Sequence, residues 1–279
     1  MRIKTLLTLG VFLLIGFNAL GQEKADTTLA KEYFKKALSL ERKGKFDSVI
    51  ICFEKSALIY KEQKKWSDYF KCKRFIAEIF FKWRKLKEAK EVSDFVIKDS
   101  PKYLTKDNPS IAGVYIILGN IAGAEGKIDI SLDFYKKCLG IVLKIYDEKH
   151  HWAYITYTNI GLGYYRQKKY HKALDYYKKA MLIIKSWKLY FNTGITYLMM
   201  EEYHLALDYL IQARDRFLKT FSENHPYFMY INNVLGVIYG RLSLRNQSVA
   251  SHQKALSILK KRWFYDIWGD TLLKPFKEA

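Results

Sequence analysis

Residues 157–185 read YTNIGLGYYRQKKYHKALDYYKKAMLIIK, and residues 190–219 read YFNTGITYLMMEEYHLALDYLIQARDRFLK. The two agree at one shift of 33 residues. Gly161 falls on Gly194, Tyr164 on Tyr197, Tyr170 on Tyr203, Ala173 on Ala206, Tyr177 on Leu210 and Ala180 on Ala213. A single shift that holds at every marker is the signature of a repeat. The paired rings and lysines of residues 163–180 could also be read as a basic aromatic surface for nucleic acid. The repeat decides against that, because Tyr164 and Tyr177 become packing positions, whereas stacking on single strands needs exposed rings.

The pattern extends in both directions. Downstream, Leu235, Gly236, Tyr239, Ser248, His252 and Ala255 match at a shift of 42. Upstream, Leu118, Gly119, Ala122, Ser131, Tyr135 and Cys138 match at 42, and Ile76, Ala77, Phe80, Leu86, Ala89 and Val96 at 42 again. A degenerate first copy carries Ala37, Leu40, Phe46, Val49, Phe53 and Ser56. The chain therefore encodes about six copies.

Each copy reads as two helices joined by a short turn such as Gln167-Lys168-Lys169. A glycine at 161 or 194 lets the first helix lie against the second. Ala173 and Ala180 keep the second helix close, and large rings fill the remaining gaps. One hairpin cannot bury both of its faces, so neighbours must stack.

These small, aromatic and alanine positions resemble the tetratricopeptide repeat (TPR), over roughly residues 30–262. The linkers before the 42-residue shifts, LTKDNPSIA, YDEKHHWAY and SENHPYFMY, resemble the kinesin-light-chain-like type that also accompanies CHAT domains in bacterial proteins. His151 stands where the other two linkers have proline. The resemblance implies an all-α, right-handed solenoid of about six hairpins. It also implies a noncatalytic scaffold that binds proteins or peptides through the groove lined by the first helices. The groove positions it assigns are Lys71, Arg74, Glu78, Phe81 and Lys82 in copy two, and Ile155, Thr158, Leu162, Tyr165 and Arg166 in copy four. In copy five they are Lys188, Phe191, Ile195, Leu198 and Met199, and in copy six Tyr230, Asn233, Val237, Gly240 and Arg241. The groove so drawn is basic at copy two and apolar across copies four to six. An exposed apolar patch of this kind marks binding. The expected ligand is a protein segment with apolar anchors and an acidic end. Alternative occupants are a second copy of the chain or the apolar tail, residues 263–279. The tail is expected first as a helix capping the last repeat, since solenoid ends otherwise expose core.

Residues 1–21 stand apart. Arg2 and Lys4 precede an apolar run from Leu6 to Phe17, and Ala19 and Gly21 suit signal-peptidase cleavage before Gln22. The run is short for a span of roughly 20 residues. The mature chain, beginning at residue 22, is expected to be exported. The alternative is an N-terminal anchor in the inner membrane. Lys and Arg number 48 against 28 for Asp and Glu, a net charge of +20. That field attracts anionic partners and leaves a polyanion-binding surface as a second functional class. A sensory module lacking its effector domain is a third. Membrane contact is expected to be peripheral at most.

Candidate chemistry is sparse. Cys52, Cys72 and Cys138 read as small buried residues rather than a disulfide framework. His150 and His151 fall in a linker. His171 and His204 occupy one equivalent position in adjacent copies, with no second ligand at metal spacing. GNIAGAEGK at 119–127 lacks the Ser or Thr of a phosphate loop and sits in helical context. Gly119 is expected as a packing glycine and Gly126 as a turn. No nucleophile–base pairing or paired carboxylates stand out, so no enzyme, cofactor, metal or small-molecule substrate is expected.

Overall fold

The structure is a computed structural model that describes residues 27–260. Residues 1–26 and 261–279, which hold the expected leader and capping tail, lie outside the described residues. Among the described residues the chain is all helical, without a strand. They fall into two compact units that divide between Thr105 and Lys106.

The first unit holds α1 (Thr27–Glu41), α2 (Phe46–Glu62), α3 (Trp66–Lys82) and α4 (Leu86–Asp99), followed by a 3-10 turn, Ser100–Lys102. The second holds α5 (Pro109–Ala124), α6 (Ile128–Ile145), α7 (His151–Arg166), α8 (Tyr170–Met181), α9 (Trp187–Met199), α10 (Tyr203–Leu218) and α11 (Pro226–Arg241). A further helix, α12, runs from residue 245 to the end of the described chain. Odd and even helices pair as the six expected hairpins, two in the first unit and four in the second.

The hairpin turns share one geometry. Lys169 N–H donates to Tyr164 C=O at 2.9 Å and Lys168 N–H to Tyr165 C=O at 2.8 Å. This nested pair ends a helix through a left-handed residue, here Lys168 at φ 59°. The equivalent residues Gly44, Arg84, Gly126, Glu201 and Ser243 also have positive φ. Helices that follow these turns start without a side-chain cap, whereas those that follow longer linkers carry one. Asn108 Oδ1 accepts from Ser110 N–H and Ile111 N–H at 3.1 Å each. His150 and His225 accept through Nδ1 from Trp152 N–H and Tyr227 N–H at 3.2 Å. Ser186 Oγ accepts from Leu189 N–H. His150 is thus the cap of α7, and His151, read as linker, is its first residue.

The packing logic of the repeat is explicit in the second unit. A β-carbon placed on Gly119, Gly161, Gly194 or Gly236 would stand 2.5, 2.5, 2.7 or 2.7 Å from Tyr135, Tyr177, Leu210 or His252. Where the neighbouring small residue is serine, its hydroxyl donates to the glycine carbonyl. Ser131 reaches Gly119 C=O at 2.7 Å and Ser248 reaches Gly236 C=O at 2.8 Å. Tyr177 is 1% exposed, as its packing role requires. Tyr164, expected inside with it, is only partly buried. Its ring lies at the edge of the hairpin, with Lys136 and Lys172 over it.

Cys52, Cys72 and Cys138 are free and buried. Burial pushes the Cys72 and Cys138 thiols up to about 11. The phosphate-loop lookalike resolves as expected, with Gly119 against Tyr135 and Gly126 in a turn at φ 76°.

Candidate functional site

In the second unit the first helices α7, α9 and α11 are direct neighbours, α9 touching both of the others. Most of the groove positions of copies four to six therefore share one layer. Ile155, Leu162 and Tyr165 on α7 are half-buried, as are Phe191, Ile195 and Leu198 on α9. Phe191 and Leu198 also pack on the core shared with α10 and α11. Exposure grows toward the last hairpin, with Met199 at 49%, Val237 at 41% and Tyr230 at 54%. Asn233, Gly240 and Arg241 are exposed as well.

Several polar candidates are committed to local bonds. Thr158 Oγ1 donates to Tyr154 C=O, one turn back, at 2.8 Å. The Arg166 guanidinium donates to Gly123 C=O at the end of α5, at 3.0 Å. It helps stack hairpin three on hairpin four. Lys188 lies 5.6 Å from the Trp187 ring and 6.0 Å from that of Tyr227.

A cavity of about 440 Å³ opens on the last hairpin. Its lining is Met229, Tyr230, Asn233, His252, Ala255, Leu256 and Leu259. Asn233 Oδ1 and His252 Nδ1 meet at 3.1 Å in its wall. Tyr230 and Asn233 belong to the groove read from sequence. His252, Leu256 and Leu259 come from α12, a second helix, which a rule drawn from first helices passes over. The available signal was His252 itself, an imidazole where the other copies of this unit place Tyr135, Tyr177 and Leu210.

The basic end of the expected groove lies in the first unit and is largely neutralised. Arg74 pairs with Glu78 at 3.2 Å. Lys82 pairs with Glu78 at 2.8 Å and with Glu41 at 2.6 Å. Phe81 is half-buried. Lys71 stays exposed, its ammonium 5.1 Å from the Phe34 ring. Among the described residues no three His, Cys, Asp or Glu side chains gather as metal ligands. None of the described helices is long and apolar enough to cross a membrane.

Comparison with known proteins agrees with this architecture. Residues 110–186 and residues 18–43 each match a family model described as tetratricopeptide repeat. Curated proteins provide no match. Among solved structures, BtubC (BKLC) from P. vanneervenii aligns with a TM-score of 0.65 at 16% identity, over 78% of this chain and 92% of its own. A kinesin light chain with nearly identical TPR-like repeats, from Podosopora anserina, aligns with a TM-score of 0.56 at 15% identity, over 69% and 95%. Cut9–Hcn1, an APC/C hetero-tetramer, aligns with a TM-score of 0.63 at 13% identity, over 85% and 41%. The chain carries tetratricopeptide repeats. Its helical hairpins have the fold of TPR arrays, including those of kinesin light chains.

Proposed function

We propose that this protein is a noncatalytic scaffold that binds another protein through the first-helix face of its second unit. The carrying observation is the run of apolar side chains from α7 across α9 to α11, most exposed at Met199, Tyr230 and Val237 and ending in the cavity beside His252. A contiguous apolar face left open to water is a docking surface more often than a structural one. The Cut9–Hcn1 hetero-tetramer is a precedent for this fold assembling with a partner. The ligand on this reading is a peptide segment with apolar anchors. The ion pairing of Arg74 and Lys82 weakens the case for an acidic end bound at copy two.

Paired baits test the reading. One is the mature chain from residue 22, the other the same chain with Met199→Glu, Tyr230→Glu and Val237→Glu. All three side chains are exposed, so circular dichroism should be unchanged. A partner retained by the first bait and lost by the second supports the face. Equal recovery on both sinks it. The export expected from residues 1–21 belongs to the same proposal. Mass spectrometry of the secreted or periplasmic fraction should find a chain that begins at Gln22, and an intact Met1 in the cytoplasm would refute it.

A further inference from the structure

Hairpin four carries a tyrosine ladder. Tyr157 and Tyr176 have ring centroids 6.2 Å apart, and Tyr176 and Tyr164 are 5.5 Å apart. The ladder itself is packing. In hairpin five, 33 residues on, Tyr190, Tyr209 and Tyr197 repeat it at 5.9 and 5.4 Å.

What differs is the lysines, since the cation over the hairpin-five ladder is Arg216, 4.4 Å from the Tyr190 ring and bonded to its hydroxyl. In hairpin four the Lys136 and Lys172 ammonium groups lie 5.6 and 5.8 Å from the Tyr164 ring. Lys179 lies 5.5 Å from the Tyr176 ring and 5.8 Å from the Tyr157 ring. In hairpin five the positions of Lys172 and Lys179 are Leu205 and Gln212. The fold therefore does not require lysine there.

None of these three lysines has an ion pair among the described residues, while neighbouring Lys137 is held by Asp133 at 2.6 Å. Asp175 and Glu148 are the carboxylates near the Tyr176 and Tyr157 hydroxyls, two negative charges against three ammonium groups. Each ammonium keeps protons free to donate while the ring beneath fixes its place.

We propose that Lys136, Lys172 and Lys179, held over this ladder, dock an extended acidic polypeptide segment. Tyr157 is buried, and Tyr164 and Tyr176 are half-buried and stacked on each other, so the ladder offers little ring face for a nucleobase to stack on. Neither α6 nor α8 contains an arginine, the residue whose planar fork suits phosphate. Lysine is a point charge that takes a carboxylate oxygen from many directions. Lys172 and Lys179 are two turns apart on α8, roughly 10 Å at the helical rise. In the extended polyproline II conformation residues three apart return to one face and span about 9 Å. Acidic side chains at every third position would therefore meet both.

The test is fluorescence anisotropy of a labelled oligoglutamate on the full chain, with heparin and phosphatidylglycerol vesicles as parallel probes. Lys136→Gln, Lys172→Gln and Lys179→Gln together should weaken oligoglutamate about tenfold, the scale of three exposed charge pairs. A control with the same net charge replaces the exposed Lys61, Lys87 and Lys98 by Gln and should change it less than about twofold. Leu205→Lys with Gln212→Lys should add affinity by extending the cations to hairpin five. Met199→Gln, Tyr230→Gln and Val237→Gln, which alter the first-helix face without altering charge, should leave oligoglutamate binding at the parent's level and so separate the two surfaces. Equal losses in the two lysine variants would reduce the effect to net charge and overturn the proposal, as would no binding by the parent. A loss confined to heparin or vesicles would overturn the choice of polypeptide.

Discussion

Gly161 and Tyr177 occupy one space: a β-carbon on the glycine would stand 2.5 Å from Cε1 of the ring and 3.2 Å from Ala173 C=O. Neither neighbour gives easily, one being a fully buried ring and the other backbone. Gly161→Ala should therefore destabilise the second unit by about 1–3 kcal/mol, the cost of overpacking a tight core. Hairpin two shows the remedy, with Ala77 opposite Ser93 at the equivalent positions. Tyr177→Ser leaves a cavity on its own, but on the Gly161→Ala background it relieves the clash. A double-mutant cycle by chemical denaturation should show favourable coupling of about 1–2 kcal/mol. Additive losses would mean that the helices simply part.

The hairpin turns separate backbone strain from packing. Gly126 has φ 76° and nothing within 4 Å of a β-carbon. Gly126→Ala should cost about 1 kcal/mol through conformation alone. Lys168 holds the same place in hairpin four at φ 59°, with the strain already present. Lys168→Gly should raise stability by about 0.5 kcal/mol, since relief of strain exceeds the added chain entropy. Opposite signs at equivalent turns, read as shifts in denaturation midpoint, are the expected result.

An imidazole caps α7. His150 accepts the Trp152 N–H through Nδ1, which places its own proton on Nε2. The ring also stacks on Tyr146, with centroids 3.8 Å apart and planes 4° from parallel. His150→Asn keeps the cap acceptor but loses the stack, and should cost about 0.5–1 kcal/mol. His150→Ala loses both cap and stack and should cost about 1–2 kcal/mol. Thermal unfolding of the two variants distinguishes a cap from a mere linker residue.

The hairpins were legible in the sequence because close helix packing admits few residue types. A β-carbon on Gly161, Gly194 or Gly236 would stand under 3 Å from a large side chain, so composition at those positions is constrained. Turn geometry was less visible. Lys168, Glu201 and Ser243 occupy left-handed positions without the glycine that normally signals them, and only their repeat phase identifies them. Charge was the least legible property. Arg74 and Lys82 read as a basic groove until Glu78 and Glu41 are seen to neutralise them, and Glu41 comes from another helix. The half-exposed face of Tyr164 was hidden for the same reason, since lysines from α6 and α8 reach it across the hairpin stack.

Buried protonated groups set the alkaline limit of stability. Burial pushes Cys72 and Cys138 from 9.0 up to about 11. It raises Tyr69 from 10.0 to about 12, with Glu54 and Asp99 adding to the shift. In each case the folded chain keeps its proton after the unfolded chain has lost it. The stabilisation is complete below the unfolded values and is lost as pH rises through the folded ones. Stability should therefore be steady up to about pH 9 and fall from there toward pH 12. Each buried thiol contributes a slope of about 1.4 kcal/mol per pH unit between its two values. Cys138→Ala should be less stable than the parent at neutral pH, because it leaves a small cavity beside Thr156. Its stability should then fall less steeply above pH 9, so that the two curves converge. Parallel curves in urea titrations across this range would show that the Cys138 thiol is open to water in solution.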